Sequence, residues 1–153
     1  LKNLWLSRGH IIIFIWHSLR MLYSKRGQEM IRTATIKDYN QINEIMNQVQ
    51  ALHVNFRPDI YQPATNFLEE EELQNLIDEN LIYVSELDGS VVGVLIIMFR
   101  HIDALTHVTR DVIFVDAMAV DEKYRGRGIG HEFFEFLKEL NIYFGNLLNR
   151  LFL

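Results

Sequence analysis

From Met30 onward the apolar positions change period several times, and each change marks an element. Ile31 to Thr35 reads as a short strand. Asp38 follows as a helix cap, and Ile42, Ile45, Met46, Val49 and Leu52 recur at the spacing of one helix face. Arg57-Pro58 stops that helix, because proline disfavours a helical conformation in the residue before it. Residues 53–65 hold both prolines of the chain and read as a loop. Leu73, Leu76 and Ile77 share one face of a second helix, from about Asn66 to Asn80. Its Glu69–Glu72 run lies in the first turns, where the helix dipole favours acid, and reads as a solvated helix start rather than a cation site.

The period then shortens. Leu81 to Leu87 predicts a strand, Asp88-Gly89 a tight hairpin turn, and Val91 to Phe99 the returning strand. Residues 100–110 form a polar loop, and Val112 to Val120 a third long strand. After a bend over Asp121–Gly130, a helix runs from about Gly128 to Leu140, with Ile129, Phe133, Phe134, Leu137 and Leu140 as its buried face. The order is β-α-α-β-β-β-α, with no internal repeat and no interdomain linker. It predicts an α+β (α/β) domain on a mostly antiparallel sheet flanked by helices.

Residues 1–29 do not follow this grammar. Ile11-Ile12-Ile13-Phe14-Ile15-Trp16 is wholly apolar but too short to span a bilayer, which takes about 20 residues. It lacks a small-residue cleavage site, and His17 and Arg20 interrupt it. A membrane-surface anchor is one reading. The preferred reading takes Met30 as the natural start: Lys25 to Glu29 can be written in nearly all-purine codons, like a bacterial ribosome-binding site. Residues 1–29 are then a non-domain extension, and 30–153 the domain.

Composition narrows the classes. The chain has 153 residues, enough for one domain with a sizeable core, at 49% hydrophobic and 23% charged residues. The absence of cysteine excludes disulfides, thiolate zinc sites and a cysteine nucleophile. A net charge of −5 argues against nucleic acid as the main partner. Residues 1–29 carry +4 of that total, leaving −9 for the rest.

The chemistry concentrates in residues 115–130, VDAMAVDEKYRGRGIG. A strand feeding a glycine-rich bend into a helix N-terminus can hold an anion. Glycines permit positive φ and close backbone approach, so several N–H groups can converge on one ligand at the positive end of the helix. Arg125 and Arg127 are further donors, and the guest expected is a phosphate, most simply a diphosphate. No Lys-Ser or Lys-Thr follows, which excludes the nucleoside-triphosphate loop. The glycines at 126, 128 and 130 miss the dinucleotide spacing, since position 131 is His131.

The pattern Arg125-x-x-Gly128-x-Gly130, after Met118-Ala119-Val120-Asp121 and Tyr124, closely resembles the acetyl-coenzyme A loop of the GNAT family of N-acetyltransferases. The resemblance covers roughly residues 30–140. It implies an acyl-CoA N-acyltransferase-like fold, acetyl-CoA as cosubstrate, an amine acceptor on a small molecule or protein, and no metal. It further implies direct acetyl transfer in a ternary complex, with cofactor-binding residues Met118, Ala119, Val120, Arg125, Gly126, Arg127, Gly128, Ile129 and Gly130. Backbone near Met118 would meet the thioester oxygen, and much of the rate would come from positioning.

Asp116 lies two residues before Met118, which on a regular strand puts both side chains on one face. It is the candidate base; a structural or substrate-orienting role is the alternative. His53 and Arg57, in a segment resembling the acceptor-side loop of some bacterial members, are the candidate substrate-binding residues. His53, His101 and His107 are weaker base candidates. His131-Glu132-Phe133-Phe134-Glu135 lacks the second histidine of a zinc-protease helix and reads as plain helix.

After Leu140 the family pattern breaks: its last strand-helix-strand portion is missing, and Asn141 to Leu153 reads as a truncated or frame-shifted tail. Tyr143 is not in the family's tyrosine motif. The third long strand would then be an open apolar edge, inviting a homodimer or aggregation. Two readings follow, a cytoplasmic, bacterial N-acetyltransferase, or an inactive remnant that binds acyl-CoA weakly or acts as an interaction module.

Overall fold

The computed structural model describes residues 29–106 and 108–151. Residues 1–28, with the apolar run and its membrane-anchor reading, lie outside the described residues, as does His107. The elements run β1 (Glu29–Thr33), a single 3-10 turn (Ile36–Asp38), α1 (Tyr39–Phe56), α2 (Glu70–Asp78), β2 (Ile82–Leu87), β3 (Ser90–Ile102), β4 (Arg110–Val120), a second 3-10 turn (Glu122–Tyr124) and α3 (Ile129–Leu151). The four strands form one antiparallel sheet in sequence order, β1-β2-β3-β4.

The sheet is covered on both faces, which explains the continuous apolar runs of β2 and β3. On one face, Ile42, Ile45 and Met46 of α1 and Leu73 of α2 pack on Val84, Val94, Ile96 and Ala119. On the other, Ile129, Phe133, Phe136, Leu137 and Leu140 of α3 pack on Tyr83, Val92, Leu95 and Ile97. Burial raises the pKa of the Tyr83 phenol, whose hydroxyl donates to Asn80 O at 2.9 Å.

Several local expectations hold and several shift. Asp88 and Gly89 both take positive φ, 50° and 79°, the geometry that closes a two-residue hairpin. Helix α2 starts later than expected. Residues 66–69 stay outside the helix, where the buried Asn43 side chain accepts from the N–H groups of Phe67 and Leu68 and donates to Leu68 O. Glu69 and Glu72 then form a reciprocal cap on α2, which accounts for the acidic run as a helix start.

Asp38 stands at the N-cap of α1 without capping it. Its carboxylate takes both terminal nitrogens of Arg32, at 2.8 and 2.9 Å, and the Thr35 N–H at 2.8 Å, while Arg32 Nε reaches Glu86 at 2.6 Å. Burial alone would raise the Asp38 pKa, but the Arg32 and Thr35 hydrogen bonds together outweigh it and hold the carboxyl below its ordinary value.

Two corrections concern the far end. Strand β4 begins at Arg110 and β3 reaches Ile102, so the polar loop between them is shorter than expected. Helix α3 does not stop at Leu140 but continues to Leu151. The tail keeps apolar residues at helical spacing, and Gly145 alone costs only about 1 kcal/mol, too little to end a helix.

Candidate functional site

Strand β4 carries an irregularity that alternation does not reveal. Ile96 pairs Ala117, yet Ile97 pairs Val115, so Asp116 is an extra residue with no partner on β3. A bulge bends the strand and re-aims side chains at that point. A spacing of two therefore no longer guarantees that Asp116 and Met118 share a face. Met118 and Val120 pack against the α3 side, Ala117 and Ala119 against the α1–α2 side, and Asp116 is exposed. On its other side β4 pairs with no strand among the described residues.

Beyond Val120 the chain turns sharply. The buried Asp121 caps the 3-10 turn, its Oδ1 accepting from the Lys123 N–H at 2.8 Å, while its own N–H donates to Val92 O at 3.0 Å. Gly126 and Gly128 take φ of 77° and 95°, values costly for any residue with a Cβ. The first helical bond of α3 runs from the Glu132 N–H to Gly128 O at 3.0 Å. The N–H groups from Gly126 to His131 therefore precede the helical ladder and donate to no acceptor among the described residues. A Cβ built at Gly126, Gly128 or Gly130 would meet nothing within 4 Å. Open donors at a helix N-terminus suit an anion such as a phosphate group.

The two arginines are partly engaged. Arg125 Nε donates to Val120 O at 3.0 Å, tying off the end of β4. The Arg127 guanidinium lies 5.0 Å from the Tyr124 ring centroid, within cation–π range. Ile129 is buried and anchors α3 to the sheet.

The helix reaches the sheet at one place that the sequence reading overlooked. A Cβ at Gly93 would lie 2.9 Å from Phe133 Cε2 and 3.1 Å from Ile129 Cγ2. Gly93 also pairs Val120, the last residue before the loop. A lone glycine inside an apolar strand run was the available signal for this close approach.

The acceptor-side candidates sit apart from the loop in sequence, on the end of α1. The His53 ring lies 4.8 Å from Tyr61. Arg57 grips Asp59 with two hydrogen bonds of 2.9 and 2.8 Å, and this pairing raises the Arg57 pKa and lowers that of Asp59. A cleft of about 470 Å³ lies between α1 and residues 58–64, lined by Asn47, Ala51, Val54, Pro58, Pro63 and Ala64, and β4 contributes nothing to it. His101 Nδ1 meets Asp111 Oδ1 at 2.8 Å on the exposed β3–β4 hairpin, and His131 is 76% exposed. Among the described residues no group of three or more His, Asp or Glu could hold a metal ion, and no helix is long and apolar enough to cross a membrane.

Residues 43–140 match the family model described as the acetyltransferase (GNAT) family. Among solved structures, a mutant of the BH1408 protein from Bacillus halodurans aligns at 26% identity and a TM-score of 0.67, over 72% of this chain and 73% of that one. A GNAT-family acetyltransferase from Streptococcus agalactiae aligns at 19% identity and a TM-score of 0.61, over 78% and 72%. An aminoglycoside N-acetyltransferase in complex with CoA aligns at 16% identity and a TM-score of 0.53, over 80% and 75%. No curated protein sequence matches the chain.

Proposed function

The chain belongs to the GNAT acetyltransferase family, and we propose that it moves an acetyl group from acetyl-CoA to a primary amine of a small molecule or protein, within a ternary complex. The observation that carries this reading is the row of N–H groups from Gly126 to His131 that have no acceptor among the described residues, set by two positive-φ glycines at the start of α3. These amides would hold the diphosphate, and the outer edge of Met118, Ala119 and Val120 would pair with the pantetheine arm. Arg125 and Arg127 frame the loop. The presence of a CoA complex among structures of this fold supports the choice of ligand.

In the reaction, the acceptor nitrogen attacks the thioester carbonyl carbon. A C–N bond forms, the C–S bond breaks, the thiolate leaves and takes up a proton, and the acceptor ammonium gives up two protons. Backbone N–H near Met118 stabilises the charge that develops on the carbonyl oxygen. Asp116, exposed in the bulge of the same strand, is assigned to proton removal, directly or through water. His53 and Arg57 would line the acceptor side; the Asp59 pairing favours a supporting role for Arg57 over direct substrate contact. Use of acetyl-CoA suits the cytoplasm of a bacterium. The domain expected over residues 30–153 would also take in Glu29, the first residue of β1. A non-catalytic remnant is the less favoured alternative, because the family match runs through the whole loop and into the helix after it, as far as residue 140.

Thermal-shift titration with acetyl-CoA, beside a thiol-release assay across an amine panel, tests the reading. Saturable stabilisation with amine-dependent thiol release is expected. Binding without release under every amine would return the chain to the remnant reading, and no binding at all would remove the ligand assignment.

A further inference from the structure

One carboxamide connects α1 to the turn that opens the loop. Gln48 Oε1 accepts from the Glu122 N–H at 3.0 Å, and Gln48 Nε2 donates to Asp121 Oδ2 at 3.4 Å. The first contact is a well-formed hydrogen bond and the second a long one. Asp121 is 8% exposed, so its carboxylate is held in place by the Lys123 N–H on one oxygen and by Gln48 on the other. Across Glu122 to Gly130, Gln48 is the only side chain from elsewhere in the fold, among the described residues, that makes a hydrogen bond. The loop's remaining bonds are local: Tyr124 N–H to Asp121 O, Arg125 Nε to Val120 O, and Glu132 N–H to Gly128 O.

Helix α1 is also the helix that carries His53 and leads into Arg57, and whose Asn47, Ala51 and Val54 line the cleft against residues 58–64. We infer that Gln48 is a positioning residue, which fixes where the first turn of the acetyl-CoA loop stands relative to the helix bearing the acceptor-side residues. The inference rests on the reading of residues 125–130 as the acetyl-CoA site. The chemistry suits a primary carboxamide and no other common side chain of that length. One end must accept from a backbone N–H while the other donates to a carboxylate. Glutamate at 48 would face Asp121 with like charge, and lysine would leave the Glu122 N–H without an acceptor.

The test uses the full chain and three variants, Gln48→Met, Gln48→Glu, and the double variant Gln48→Glu with Asp121→Asn. The double variant exchanges the roles: the new carboxylate accepts from the Glu122 N–H, and the new amide at 121 donates to it while its oxygen still serves Lys123. Two quantities are read, amide hydrogen exchange over residues 122–130 without ligand, and acetyl-CoA affinity with its KM–kcat split. Gln48→Met is expected to speed exchange at Glu122 and its neighbours. It should weaken acetyl-CoA binding about 3- to 10-fold, the range set by one neutral hydrogen bond, with kcat at saturation unchanged. Gln48→Glu should weaken it further, and the double variant should return to within about 2-fold of the parent, by the coupling expected of residues in contact. Unchanged exchange in Gln48→Met overturns the inference whatever acetyl-CoA does. So does faster exchange with unchanged affinity, or failure of the double variant to recover. If the parent protein binds no acetyl-CoA, the functional reading itself falls and takes this role with it, and the parent's own titration identifies that case.

Discussion

The substitution Gly93→Ala probes how closely α3 must sit on β3 for the loop to be presented. The added methyl would lie 2.9 Å from Phe133 Cε2, 3.1 Å from Ile129 Cγ2 and 3.3 Å from Phe133 Cζ. Normal carbon contacts are about 3.5–4.0 Å, so something must move by roughly half an ångström or more. Phe133 and Ile129 are 0% and 2% exposed. Neither can swing into solvent, and the strain passes to the helix axis. Overpacking of this kind costs about 1–3 kcal/mol, offset by about 0.4–1 kcal/mol from the stiffer unfolded chain. The net expectation is a loss of about 1–2 kcal/mol, or roughly 3–6 °C in Tm at this chain size. Because Gly93 also pairs Val120, the methyl acts at both ends of the loop, and acetyl-CoA affinity should fall with stability. Denaturant unfolding and calorimetric titration read the two effects. Adding Phe133→Leu makes room for the methyl, so the double variant should lose about 1 kcal/mol less than the sum of the singles. A Gly93→Ala protein as stable as the parent, with unaltered affinity, would refute the close-approach argument.

The loop glycines should separate by backbone geometry. Gly128→Val, at φ 95°, should abolish acetyl-CoA binding and cost about 1–2 kcal/mol of stability. Gly130→Ala, in helical backbone with open space around it, should leave Tm unchanged or raised while weakening acetyl-CoA binding, and equal affinity in both variants would contradict the loop assignment. Asp116→Asn should lower kcat by about 10²-fold or more if the carboxylate is the base; a parent-like kcat would leave water to carry the proton. Asp38 has a folded pKa below its unfolded value, so its stabilisation is complete above the unfolded pKa of about 3.9 and is lost as pH falls through the folded value. Asp38→Asn should cost about 2 kcal/mol at pH 7 and flatten the stability curve below about pH 4, which urea titrations across pH would check. If the open edge of β4 pairs two copies, Val112→Lys should convert dimers or larger species to monomers in light scattering, and an unchanged mass would exclude that edge as the contact.

The parts legible in the sequence are those whose causes are local. The Asp88-Gly89 turn, the strand into Val120 and the glycine bend before Ile129 each declare themselves within a few residues. Relations across the fold stayed hidden. Asn43 sets the start of α2 by holding Phe67 and Leu68 from 24 and 25 residues away, and nothing in the helical period of α1 marks it. Asp38 reads as a cap because of its place before an apolar period, yet Arg32 and Thr35 claim its oxygens. The bulge at Asp116 is invisible for a related reason. With both faces of the sheet covered, β4 shows no alternation whose slip could be seen. His53 and Arg57 carry no such local mark, since exposure and loop position do not specify contact with a substrate.

The same distinction explains how an unpaired loop can still be ordered. Its beginning is fixed by Gln48 on the Glu122 N–H and by Arg125 on Val120 O, at 3.0 Å each. Its end is fixed by Ile129 and Phe133, packed where Gly93 lacks a side chain. Between those anchors the amides from Gly126 to His131 have no acceptor among the described residues. A diphosphate bound there would break no hydrogen bond found among the described residues, so more of the contact energy would be left for affinity. Loosening either anchor, at Gln48 or at Gly93, should weaken the ligand through a residue outside the set that would meet it.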